Sequence, residues 1–157
     1  MPPALGQPLP DLTLPDTDGR ERPLAEAWAA GPALLLLGHR NCKTTRQTLP
    51  YVEQIHRRKA GAATVVAVLQ DDAATARELV DQMGLTLPVL CEADPYPLAA
   101  ALRVTVAPTL LLVDRQGQIA AVSEAFRKSD LEAFAARLGV AGPLFPPDDP
   151  MPAFKPG

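Results

Sequence analysis

The chain is short of the residues that carry most recognisable chemistry. Two cysteines among 157 residues exclude a small disulfide-stapled scaffold and fit a reducing compartment, where thiols are either reactive or simply buried. Two histidines, His39 and His56, do not make a metal site, because His39 and Cys42 have no further spaced ligands beside them. The formal net charge is only −3, and no basic run offers a footprint for nucleic acid. The longest apolar run, Ala33 to Leu37, is far too short to cross a bilayer. No glycine-rich loop stands ready to cradle phosphate, so no cofactor is expected. Met1 to Gly6 carry neither a positive n-region nor an apolar h-region, which makes a cytoplasmic address the expectation.

What is present is an alternation of short apolar runs with helical periodicity, the pattern of an α/β domain. The length suits one domain with a sizeable core. The composition divides it into a domain over residues 1–142 and a proline-rich tail over residues 143–157. Leu9 to Leu14 alternates and leads into the turn dipeptide Asp18-Gly19, as in a hairpin or extended arm. Pro23 to Ala30 reads as a short helix stopped by Gly31-Pro32. Ala33 to Leu37 is a central strand covered on both faces.

From Cys42 to about Lys59, Leu49, Val52 and Ile55 recur at helical spacing, with Arg46, Glu53, Arg57 and Arg58 as the solvated face. Ala63 to Leu69 is the next strand, and Asp71-Asp72 opens a helix that Gly84 stops. Leu87 to Leu90 is a short strand ending at Cys91, followed by a short helix over Pro95 to Arg103. Thr109 to Val113 and Gln118 to Val122 form a hairpin around Asp114 to Gly117. Ser129 to Glu132 resembles a capped start to a last helix that presents Leu131, Phe134 and Leu138. The six prolines after Gly142 exclude regular helix or sheet, leaving an arm with Leu144, Phe145 and Phe154 as docking points.

Cys42 is the residue on which chemistry converges. A thiol at a helix N-terminus faces unpaired N–H groups and the positive end of the helix dipole, and both favour thiolate. His39 and Arg40 lie just upstream as groups that tune its ionisation, and Lys43 adds another cation in sequence. The polar flanks argue against Cys42 being a buried hydrophobe.

The stretch Leu35-Leu36-Leu37-Gly38-His39-Arg40-Asn41-Cys42-Lys43-Thr44-Thr45 resembles the strand, loop and Cys-x-x-Cys helix of thioredoxin-like proteins, with Thr45 in the second cysteine's place. Pro50 sits where that family kinks this helix. Val106-Ala107-Pro108-Thr109 is similar to its cis-proline loop, which lies against the cysteine and pairs with substrate backbone. Gly6 to Asp16 and Leu87-Pro88-Val89-Leu90 resemble segments of the redoxin branch, which holds the AhpC/TSA peroxiredoxins and the TlpA-type disulfide reductases. The resemblance implies a thioredoxin fold, a central mixed sheet flanked by helices, over about Gly6 to Gly139, with an N-terminal extension and the proline-rich arm outside it.

It also implies a thiol–disulfide oxidoreductase acting on a protein or small disulfide, with thioredoxin or glutathione as donor, and neither nucleic acid nor membrane as partner. Cys42 is then a single nucleophile, and Pro108, Thr109 and the Ala107 backbone are its substrate platform; the Thr45 hydroxyl is either a donor to the thiolate or that of an early helix residue making a local hydrogen bond. Cys91, at the end of its strand, is a candidate resolving thiol. A thiol peroxidase is the second reading, through a sulfenic acid on Cys42. Against it, peroxiredoxins carry a threonine where this chain has His39 and an arginine where it has Pro108. The third reading is a binding module that lost turnover with its second cysteine.

Overall fold

The computed structural model describes residues 2–157. A five-stranded mixed sheet forms its centre, in the order β5-β4-β3-β6-β7. Its middle strand β3 (Ala33–Gly38) is buried along its whole length, as its unbroken apolar run requires. It runs parallel to β4 (Thr64–Leu69), itself parallel to β5 (Val89–Cys91). On its other side β3 pairs antiparallel with β6 (Thr109–Val113), and β6 with β7 (Ile119–Glu124).

The period-two alternation of the strands divides the core into two layers. Leu34 and Leu36 of β3 and Leu110 and Leu112 of β6 face α1 (Lys43–Arg58), α2 (Ala73–Met83) and α4 (Lys128–Arg137). Leu35, Leu37, Leu111 and Val113 face α3 (Pro97–Leu102), the 3-10 helix Leu24–Trp28 and the N-terminal hairpin of β1 (Thr13–Pro15) with β2 (Glu21–Pro23). Helices on both faces leave the carboxyl end of β3 as the place where a loop can present a side chain.

Three expectations need correction. Glu53 does not belong to a solvated face: it is buried, because the loop after α2 supplies donors that its carboxylate satisfies. The last helix starts at Lys128, one residue before the expected capping serine. Its Asp130 accepts from the Ser123 hydroxyl at 2.7 Å, and Glu132 accepts from the Leu144 backbone at 2.5 Å. The tail is not free of sheet, since β9 (Phe154–Lys155) pairs antiparallel with β8 (Phe126–Arg127) in the gap between Pro152 and Pro156. Of the docking points, Leu144 is buried and Phe145 stacks on Tyr51 with centroids 4.4 Å apart. Phe154 stays 45 % exposed and is held by its backbone and by the Arg127 guanidinium 4.4 Å above its ring.

Candidate active site

The site forms where β3 hands over to α1. Gly38 ends the strand, and a Cβ there would stand 2.6 Å from Thr45 Oγ1 and 2.8 Å from its Cγ2. A side chain at this position would push the first turn of α1 away from the sheet. Cys42 then takes the N-cap position in extended backbone conformation, and its Sγ accepts the Thr45 backbone N–H at 3.4 Å. A sulfur at this place satisfies one of the helix's orphan donors and stands at the positive end of its dipole. Pro50 lies inside α1 without ending it.

Opposite the sulfur is the loop before β6. The Ala107–Pro108 peptide is cis, and the Cys42 thiol donates to the Ala107 carbonyl at 3.3 Å. Cys42 is half-buried. The sulfur therefore has an N–H donor on its helix side and a carbonyl acceptor on its loop side. As a thiol it uses both contacts; as a thiolate it keeps only the donor.

The other candidate residues fall in different places. Thr45 is fully buried and its Oγ1 has no hydrogen-bond partner among the described residues, so the backbone of Thr45, not its hydroxyl, reaches Cys42. Packing against Gly38 takes the side chain to the strand side of the turn. Thr109 is likewise buried and its hydroxyl donates to the Val106 carbonyl at 2.6 Å, which shapes the loop from within and leaves no side-chain surface for a substrate. Arg40 does not face the sulfur: its guanidinium pairs with Glu78 at 2.9 Å, and its backbone N–H donates to Asp71. Arg46 donates to the Arg40 carbonyl. His39 accepts the Cys42 N–H through its carbonyl at 3.2 Å, and it lines a cavity of about 170 Å³ with Gln70, Thr105, Val106 and Ala107.

Cys91 is buried at the end of β5 and is a free thiol, as is Cys42. It pairs with Leu69, which pairs with Gly38, so two strand spacings of about 4.8 Å separate the ends of β5 and β3. Cys42 turns the opposite way, onto the loop leading into β6. Burial, and then the charges of Asp71, Asp72 and Asp16, push the Cys91 thiol up to about 11. The geometry does not bring the pair together.

Two features near Cys42 were not legible in the sequence. The Thr44 hydroxyl donates to the Pro156 carbonyl at 2.6 Å, and Gly157 packs against Val106 and Ala107. Neither carries a local signal, because both depend on where the tail returns.

A thiol capping the helix after the central strand, faced by a cis-proline loop, defines a redoxin of the thioredoxin fold. A family model described as the AhpC/TSA family matches residues 5–122, and the chain belongs to that family. It is 26 % identical over 118 residues to the thiol-disulfide oxidoreductase ResA of Geobacillus thermodenitrificans strain NG80-2, covering 74 % of this chain and 67 % of the relative. A Chlorobium tepidum structure described as a thiol:disulfide interchange protein DsbE superposes with TM-score 0.74 at 26 % identity, over 85 % of this chain and 94 % of that one. The peroxidoxin BcpB of Mycobacterium tuberculosis shares the fold at TM-score 0.63 and 17 % identity, over 85 % and 94 % of the two chains.

Proposed function

We propose that the protein is a thiol–disulfide exchange enzyme in which Cys42 is the single nucleophile and a protein or low-molecular-weight disulfide is the substrate. The observation that carries this reading is the position of Sγ between the Thr45 N–H and the carbonyl of the cis-proline loop. The thiol proton leaves to solvent and the thiolate attacks one sulfur of the substrate disulfide. A bond forms between Cys42 and that sulfur while the other departs as thiolate and takes up a proton. An external thiol then attacks the mixed disulfide, restores Cys42 and carries the substrate half away as a new disulfide. The external thiol is needed because Cys91 is buried two strands away.

Exchange is favoured over peroxide reduction by the surroundings of the sulfur. Peroxide cleavage gains from a cation that polarises the oxygen–oxygen bond, and Arg40 and Arg46 are engaged with Glu78 and the Arg40 carbonyl. The family relatives named for disulfide chemistry support the same choice. Two free thiols suit a reducing compartment, so a cytoplasmic address is part of the proposal. The test is reduction of a disulfide-containing peptide with glutathione as donor. Cys42→Ser should abolish turnover and Cys91→Ala should preserve it; turnover by Cys42→Ser would exclude the mechanism.

A further inference from the structure

The Ala107 carbonyl is contacted from two sides. Cys42 donates to it from α1, and the backbone of Gly157 lies so close that a Cβ there would collide with it and stand 2.7 Å from Val106 Cγ1. One residue earlier, the Pro156 carbonyl receives the Thr44 hydroxyl, two positions from Cys42. Before that, β9 adds itself to β8 and Phe154 lies under the Arg127 guanidinium. The tail thus runs extended along the edge of the site and ends on the same carbonyl as the nucleophile.

This course is that of a strand-adding peptide: backbone pairing gives affinity and a few side-chain contacts give selectivity. We infer that Ala153–Gly157 is a displaceable occupant of the substrate groove beside Cys42, and that a polypeptide displacing it carries a small residue where Gly157 faces Ala107. The identity of the groove as a substrate site rests on the function proposed above. The tail is anchored at its base by partly buried side chains and held at its distal residues by surface contacts alone. Asp149 is bonded to Tyr51 at 2.7 Å and to Lys128 at 3.2 Å, whereas Ala153, Phe154, Pro156 and Gly157 are exposed. The distal residues can leave without undoing the core.

The test uses the chain of residues 1–157. Gly157→Val places a Cβ against the Ala107 carbonyl and lifts the end of the tail; Arg127→Ala loosens it from the other side by removing the cation over Phe154. Alkylation of Cys42 by iodoacetamide, followed by peptide mapping, reads access without requiring exchange. In Gly157→Val it should run about tenfold faster than in the parent, as when the parent presents its groove open a tenth of the time. Arg127→Ala should move the same way by less. The synthetic peptide Pro-Ala-Phe-Lys-Pro-Gly should slow the fast variant saturably, and a scrambled peptide should not.

Equal alkylation rates in the parent and both folded variants would overturn the inference, as would a peptide without effect. Faster alkylation, reversed by the peptide, with no exchange on any disulfide would uphold the occupied groove and remove the proposed enzyme function.

Discussion

Glu53 offers the sharpest quantitative prediction, because its carboxylate is buried on α1 and fully used. It accepts the backbone N–H groups of Thr86 at 2.9 Å and Leu87 at 3.0 Å, the Thr86 hydroxyl at 2.6 Å and Arg57 Nε at 2.6 Å. Burial alone would raise its pKa. The Arg57 and Thr86 side chains and the two backbone donors outweigh it and hold the carboxyl at about 2, against an ordinary 4.5. That gap, roughly 2.5 at 1.36 kcal/mol for each pKa unit, corresponds to about 3 kcal/mol of folding stability. Because the folded pKa is the lower, the unfolded chain binds the proton first. The stabilisation is complete above pH 4.5 and disappears as pH falls toward 2. Glu53→Gln fixes the group in a neutral form of the same shape. Urea unfolding of parent and variant should differ by about 3 kcal/mol near pH 7, and by progressively less below about pH 4. A difference that stays constant across this range would mean that packing, not charge, sets the role of Glu53, and a difference near zero at neutral pH would mean that its ionised form contributes nothing to folding.

Thr45→Val keeps the shape and removes a buried hydroxyl that has no partner; it should leave stability unchanged or raise it by up to about 1 kcal/mol, with exchange unaffected. A large fall in exchange rate would return the hydroxyl to the mechanism. Cys91→Ala should cost about 1 kcal/mol in thermal or urea unfolding through lost core contacts while exchange continues. In the parent, Cys91 should resist alkylation at neutral pH because its thiol titrates near 11. Tyr51 titrates at about 12 through burial and its bond to Asp149, whose charge adds to the shift. Its folded pKa lies above the ordinary 10, so its contribution holds below that pH and fades as pH rises toward 12. Absorbance titration should show this late tyrosine, and Tyr51→Phe should remove it.

The fold was largely legible because its determinants are local. Ala33 to Leu37 could only be a doubly covered strand, and Gly84 closes α2 in left-handed conformation where a stop was expected. Cys42 at the start of a helix was readable from spacing and Pro108 as its facing loop from the family resemblance, and the structure joins them through the Ala107 carbonyl. What sequence could not supply was the direction of a side chain at a crowded turn. Thr45 sits three residues after Cys42, yet the close approach to Gly38 turns its hydroxyl away, a fact set by how α1 packs on β3. Glu53 follows the polar spacing of α1 and is buried only because Thr86 and Leu87, 33 and 34 residues on, bring their donors to it. Prolines marked the tail as irregular, but its two strand residues lie between them and pair with a distant segment.

Whether Cys42 acts alone is decided by intact mass and peptide mapping after exposure to oxidised glutathione. A single nucleophile gives one reducible glutathione adduct, mapped to Cys42, with Cys91 unmodified. A disulfide between Cys42 and Cys91, or a Cys42 that accepts no adduct, would contradict it.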